Sequence, residues 1–273
     1  MSKKMPVKLA PVVKHYIWGK EEWMLSDLQE EVEHSPLLVK VITANDHLSV
    51  QVHPGDEYAM EKEGSVGKTE MWYILDCEPD AYLFYGLKHK ISAAEFIKRI
   101  KNDTITEVCR KIKVKKGDVF FIPAGMLHAI GKGITVAEVQ QNSNITYRVY
   151  DYHRQDENHN FRPLHIKQAE DVTGFMPPLQ GHRPMGTRVW KNGYYKTLLV
   201  QCPYFQVTRI EVERIWKKGA VDVHQSLLVL EGNGELTCED MKIELKAGDS
   251  IYIPQGVGSY EVQGKIQFLI SEA

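Results

Sequence analysis

The sequence predicts an all-β protein made of two barrels, the second a degenerate copy of the first, with one small helical insertion. Three observations predict it. Short runs rich in β-branched and aromatic residues recur along the chain, a turn–strand–turn unit appears twice in register, and helical periodicity is confined to one stretch.

The strand runs are LLVKVI, LSVQVH, EMWYIL, DVFFIP, TYRVYDY, KTLLVQ, FQVTRI, SLLVLEG, SIYIP and IQFLIS, with turn residues between them. The helical stretch is residues 92–112. Ser92 followed by Glu95 reads as a capping box, and Phe96, Ile97 and Ile100 recur at helical spacing. A break near Asn102 precedes Val108 and Ile112, so two short helices are expected. The repeat lies in KGDVFFIPAGMLH (116–128) and AGDSIYIPQGVGS (247–259). Gly117, Asp118, Ile122, Pro123 and Gly125 match Gly248, Asp249, Ile253, Pro254 and Gly256 at a constant offset. A Gly-Asp turn, a four-residue strand and a Pro-x-Gly turn form one building unit. The first copy ends in His128 and the second in Ser259. The stretch GFMPPLQGHRPMG (174–186) has no periodicity and reads as a linker. Expected domains are therefore residues 1–173 and 187–273.

Composition narrows the partners. Hydrophobic residues make up 43% and charged residues 26%, and the formal net charge is −2. This balance, with no helix-turn-helix and no basic patch, argues against nucleic acid. No run approaches the roughly 18 apolar residues of a membrane span. Pro6, Lys8, Pro11 and Lys14 interrupt any signal-peptide core. Cys77, Cys109, Cys202 and Cys238 lie far apart, as reduced thiols of a cytoplasmic protein would.

The G-x5-P-x-G-x2-H arrangement from Gly117 to His128 resembles a signature of the cupin superfamily. With LSVQVHP (48–54), GKTEMWYI (67–74), IPAGMLHAIGKGI (122–134) and QQNSNITYRVYD (140–151), the chain resembles the class I mannose-6-phosphate isomerases in a short bacterial form. The family's helical insertion near the N-terminus is mostly absent, and Asn144 stands where bacterial members often carry Asp. The resemblance implies two cupin barrels, a zinc ion, and interconversion of mannose 6-phosphate and fructose 6-phosphate. A small phosphosugar is then the expected partner.

Gln51 and His53 alternate on one strand face, Glu70 opens the next strand, and His128 follows the Pro123-Gly125 turn. Inward positions of a small barrel converge, so two imidazoles, a carboxylate and an amide oxygen can meet at one ion. Each residue alone reads as an ordinary buried hydrogen-bonding group. As a set they suit Zn²⁺, and Mn²⁺, Co²⁺ or Fe²⁺ also fit mixed nitrogen and oxygen ligands.

Aldose–ketose isomerisation needs a base beside a carbonyl and stabilisation of an enediolate. Asn142-Ser143-Asn144 reads as a tight turn, which sets Glu138 opposite Arg148 in a hairpin. Both match family residues implicated in the active site, as does Lys68, two residues before Glu70. Arg148 is assigned to charge stabilisation. The base is left open among Lys68, Glu138, and His53 beside a metal-bound water. Ser49 shares the Gln51 face and is a candidate hydroxyl donor to the substrate phosphate. By resemblance, Lys40 and Arg154 approach the phosphate and Trp18 lines the pocket. The second barrel has His224 but no histidine at Ser259, and reads as structural. The rival readings are a non-catalytic sugar-binding module and an Fe²⁺-dependent oxygenase. Replacement of a histidine by Gln51, and the presence of Arg148, favour polarising a sugar oxygen over activating dioxygen.

Overall fold

A computed structural model describes residues 4–155, 159–179, 181–220 and 222–273. In chain order the first half carries β1 (Val7–Leu9), β2 (Val12–Tyr16), β3 (Gly19–Leu25), β4 (Leu37–Ala44), β5 (Val50–Val52), α1 (Asp56–Glu63), β6 (Glu70–Cys77) and β7 (Tyr82–Leu87). Next come α2 (Ala93–Lys101), α3 (Ile105–Val108), β8 (Cys109–Lys113), β9 (Val119–Ile122), β10 (His128–Ala129), β11 (Ile134–Gln141), β12 (Tyr147–Tyr150) and α4 (Ile166–Val172). The remainder is β13 (Val189–Lys191), β14 (Tyr194–Gln201), β15 (Gln206–Val212), β16 (Ile215–Lys218), β17 (Gln225–Cys238), β18 (Met241–Lys246), β19 (Ser250–Ile253) and β20 (Tyr260–Glu272). Every strand run read from the sequence contains a strand.

The chain divides into two compact units, Met1–Val13 with Glu22–Lys40 and Arg183–Ala273, and Lys14–Glu21 with Val41–His182. The sequence reading put all of 1–173 in one domain, and this is corrected. β1 pairs with β19, Val7 opposite Tyr252, and Ser250 Oγ donates to Met24 O at 2.7 Å. N-terminal residues are thereby claimed by C-terminal strands, a long-range pairing no local pattern reveals. No helix or strand forms between Gly174 and Gly186 among the described residues.

In the unit containing Val41–His182, two sheets face each other. One is ordered β12-β5-β10-β7-β8; the other runs β4-β11-β6-β9, with β2 and β3 beyond β4. Between them lie Trp72, Ile74, Leu83, Tyr85, Phe120, Ile122 and Val136, all buried. Tyr85 on β7 donates its hydroxyl to Phe121 O on β9 at 2.7 Å, tying the two sheets. On the outer side of the first sheet, Val50, Val52, Phe84, Ala129, Tyr147 and Val149 pack against Phe96, Ile100, Ile105 and Ala169 of the helices. Alternation therefore turns Gln51, His128 and Arg148 toward the opposite sheet.

The helical insertion is shorter than expected. Ser92 Oγ accepts from Glu95 N at 3.1 Å and caps α2, and Phe96 and Ile100 are its buried residues. Val108 ends α3, but Ile112 belongs to β8, because Leu83 of β7 claims it as a ladder partner. Two helices were missed. α1 buries only Ala59 and is polar all round, and α4 has seven residues, so neither carries an apolar stripe.

The two copies of the repeat fold alike in detail. Gly117, Gly125, Gly248 and Gly256 all take positive φ, at 90°, 84°, 88° and 94°. Asp118 Oδ2 accepts from Lys115 N at 3.0 Å, and Asp249 Oδ2 from Lys246 N at 2.8 Å. A β-branched or bulky residue at any of the four glycines would be strained, which is why the repeat keeps them.

The sheet that β1 forms with the strands of Arg183–Ala273 is ordered β1-β19-β17-β20-β15-β14-β13, with β16 on β20 and β18 on β17. Its core holds Leu227, Val229, Ile251, Ile253, Val262 and Phe268. His224 meets the Tyr252 hydroxyl at 2.7 Å, and Ser259 is exposed.

Candidate metal centre and active site

Three buried side chains converge between the facing sheets. His128 on β10 is the ladder partner of Gln51 on β5, and Gln51 is also the partner of Arg148 on β12. Arg148, Gln51 and His128 therefore form a row on one sheet face. His53 follows two residues after Gln51, and Glu70 opens β6 in the facing sheet. One ligand atom each from His53, Glu70 and His128 lies within 4.8 Å of the others.

The hydrogen bonds set the imidazole tautomers. His53 Nδ1 is 2.8 Å from Ile145 O, and His128 Nδ1 is 2.8 Å from Met126 O. A carbonyl only accepts, so each Nδ1 carries the proton and each Nε2 presents a lone pair. His53 Nε2 lies 3.5 Å from Glu70 Oε2, and His128 Nε2 lies 3.3 Å from Glu70 Oε1. Acceptor therefore faces acceptor on both sides of one carboxylate. Neutral imidazoles oriented by backbone carbonyls, with a carboxylate between them, are the donor set of a divalent cation. The residues present fit a metal.

Charge points the same way. Glu70 and Glu138 are buried, at 0% and 3% exposure, and Lys68 Nζ lies 3.1 Å from Glu70 Oε2. Burial alone would lower the Lys68 ammonium, but Glu70 and Glu138 outweigh it and raise it to about 12. Two carboxylates with one ammonium leave this part of the interior negative, and a divalent cation offsets that. Burial pushes His128 down to about 4, which keeps its lone pair available at neutral pH.

That shift makes a prediction for the metal-free protein. The unfolded chain binds a proton at His128 near pH 6.5 and the folded chain only near 4, so stability is full above 6.5 and falls with pH toward 4. Urea unfolding of chelator-treated protein should lose roughly 2–3 kcal/mol between about pH 7 and pH 4.5 through this group. His128→Gln should flatten the profile by that amount; an unchanged slope would contradict the buried neutral imidazole.

The expected hairpin is not formed. Glu138 pairs with Trp72 on β6, whereas Arg148 pairs with Gln51 on β5, so the two lie in different sheets. Residues 142–146 turn a corner between sheets instead of closing a hairpin. Gln140 Nε2 donates to Gln141 O at 2.9 Å and to Ser143 O at 2.5 Å, holding that corner. Glu138 is fixed by Trp72, whose Nε1 donates to Oε2 at 2.8 Å. Trp72 was missed, although it sits two residues beyond Glu70 on the same strand face. Arg148 Nη1 donates to Pro163 O at 3.1 Å. Burial first, and then the neighbouring Arg162, hold its guanidinium below the ordinary range.

The other sequence candidates separate. Ser49 is buried beside β5, two residues before Gln51. Trp18 is buried in the cluster that holds Ile42, Leu48 and Trp72, and it stacks on Tyr16 at 4.8 Å. Lys40 falls in the other unit, with Nζ 5.1 Å from the Trp23 ring centroid. Arg154 is tied down internally: Nη2 donates to Asp151 Oδ1 at 2.5 Å, Nη1 to His47 O at 2.5 Å and Nε to Asp151 O at 3.2 Å.

With this geometry in view, relatives decide the family. Mannose-6-phosphate isomerase ManA of Bacillus subtilis is 36% identical over 261 residues, covering 93% of this chain and 80% of the relative. The chain belongs to the mannose-6-phosphate isomerase family. Within the family, the model for the mannose-6-phosphate isomerase cupin domain matches residues 195–273. The crystal structure of the Bacillus subtilis mannose 6-phosphate isomerase superposes with a TM-score of 0.89 at 31% identity, covering 98% of this chain and 99% of that one. A mannose 6-phosphate isomerase solved with zinc and yttrium has a TM-score of 0.71 at 15% identity, covering 97% and 98%, a likeness of fold. No described helix is long and apolar enough to cross a membrane.

Proposed function

We propose that the protein interconverts mannose 6-phosphate and fructose 6-phosphate at this centre, using one divalent ion, zinc by preference, held by Gln51, His53, Glu70 and His128. The observation that carries the reading is the meeting of two proton-free imidazole nitrogens and a carboxylate within 4.8 Å. Family membership supplies the reaction, and the zinc in a family structure of the same fold supplies the preferred ion.

A divalent ion bound by these residues would supply Lewis acidity to the reacting sugar. The side chains around it do the rest. Glu138, aimed by Trp72, is the group we assign to taking the proton from C2 and returning it to C1. Lys68 donates hydrogen bonds to the oxygens between which a proton must also pass. Arg148 places a permanent positive charge beside the negative charge that develops on the enediolate. Glu70, Lys68 and Glu138 are buried, and the low dielectric around them strengthens each of these interactions.

We assign residues 187–273 to a second cupin-like domain without a metal, since exposed Ser259 stands where the first copy has His128. Four free cysteines support a cytosolic setting. The test is a coupled assay of mannose 6-phosphate conversion before and after chelation. Turnover should vanish with the chelator and return with Zn²⁺. No turnover by metal-loaded protein would end the proposal, and oxygen consumption in its place would favour the oxygenase.

A further inference from the structure

Beside Arg148, two arginines bind one buried carboxylate. Asp151 is 5% exposed. Arg162 binds it side-on with two bonds, Nε to Oδ2 at 2.6 Å and Nη2 to Oδ1 at 2.5 Å. Arg154 shares Oδ1 from another direction at 2.5 Å. Arg148 lies within electrostatic reach of all three groups. The segment carrying Arg162 is pinned to β12 next to Arg148: Pro163 O accepts from Arg148 Nη1, and His165 N donates to Arg148 O at 2.8 Å. Three guanidiniums face Asp151, with Asp46 Oδ2 at 3.8 Å from Arg154 Nη1, and together they leave net positive charge at the end of the row that leads through Gln51 to His128.

The two arginines on Asp151 are not equivalent. Arg154 spends all three of its nitrogens on Asp151 and His47, and its side chain is 11% exposed. Arg162 spends only Nε and Nη2; among the described residues Nη1 has no bond, and the side chain is 24% exposed. The chain between Asp151 and Arg154 is also strained. Tyr152 and His153 both take left-handed φ, at 56° and 54°, which lets Arg154 fold back onto Asp151. Strain of this kind persists only where surrounding bonds over-determine it. The carboxylate is thus held by Arg154 as well, and it fixes the Nε/Nη2 edge of Arg162 while Nη1 stays unbonded among the described residues.

Building on the isomerase reading, we propose that Arg162 is the residue that binds the phosphate of the sugar, that Asp151 is its positioning residue, and that Arg154 serves as the brace. A guanidinium fixed on one edge by a carboxylate presents its other donors with little orientation left to lose, as phosphate recognition requires. This moves the phosphate contact from Arg154, where the sequence reading put it, to a residue that reading passed over.

Arg162→Gln leaves Asp151 paired with Arg154, so the fold should persist. The expected result is a rise of about tenfold to a hundredfold in KM for mannose 6-phosphate and in the calorimetric Kd for inorganic phosphate. kcat should fall far less than KM rises, and metal content should not change. Asp151→Asn, checked for folding by near-ultraviolet circular dichroism, should raise KM in the same direction, and Arg162→Lys should recover part of the loss. Wild-type protein that binds no inorganic phosphate, or Arg162→Gln protein that binds it as wild type does, overturns the assignment. If phosphate binds and Arg162→Gln abolishes it while wild type turns over no mannose 6-phosphate, the isomerase reading fails and the phosphate site stands.

Discussion

Glu70→Gln is expected to empty the metal centre, leaving metal content at about a tenth of wild type or less and turnover down on the order of a thousandfold, because metal and Lewis acid are lost together. The reason is charge. Glu70 is the only anion among the proposed ligands, and its two oxygens face His53 Nε2 and His128 Nε2 at 3.5 and 3.3 Å. A glutamine keeps the shape but offers one weak acceptor and one donor, and the donor would point at a lone pair. Lys68 suffers as well, since its closest carboxylate oxygen, at 3.1 Å, becomes neutral. A buried ammonium stripped of its nearest counter-charge should cost on the order of 3 kcal/mol of stability. Inductively coupled plasma mass spectrometry, the coupled assay and urea unfolding read the three effects. Full metal content with full activity would show that Glu70 is not a ligand.

Arg148→Ala is expected to do something different. kcat should fall on the order of a hundredfold to a thousandfold, the usual cost of removing one group aimed at developing charge. Metal content should stay at the wild-type level. The separation follows from chemistry and position: a guanidinium is no metal ligand, and Arg148, in the row with Gln51 and His128, bonds to Pro163 O. If metal occupancy fell in step with kcat, Arg148 would be holding the ligands and not the transition state.

Much of this was legible in the sequence, for reasons that can be named. Strands such as β6 and β9 announce themselves because aromatic and β-branched residues crowd them. The meeting of His53, Glu70 and His128 was legible because strand alternation aims His53 inward and the repeated Gly-Asp and Pro-x-Gly turns locate His128. Other features depend on partners far away in the chain. Asn142-Ser143-Asn144 has the residues of a tight turn, and turn chemistry alone does not distinguish a hairpin from a corner joining two sheets. The pairing of Val7 with Tyr252 decides where β1 belongs, and nothing near Val7 encodes it. α1 went unseen because its burial is limited to Ala59. Arg162 reads as an ordinary surface arginine until Asp151 is seen beneath it.

One ion is expected where the two imidazoles and the carboxylate meet. Crystals of Zn²⁺-loaded protein, with anomalous data collected at energies above and below the zinc absorption edge, test it most directly. The expected result is one anomalous peak about 2.0–2.2 Å from His53 Nε2, His128 Nε2 and a Glu70 carboxylate oxygen. A peak bound elsewhere in the chain, or none between those three groups in protein that turns over mannose 6-phosphate, would contradict it.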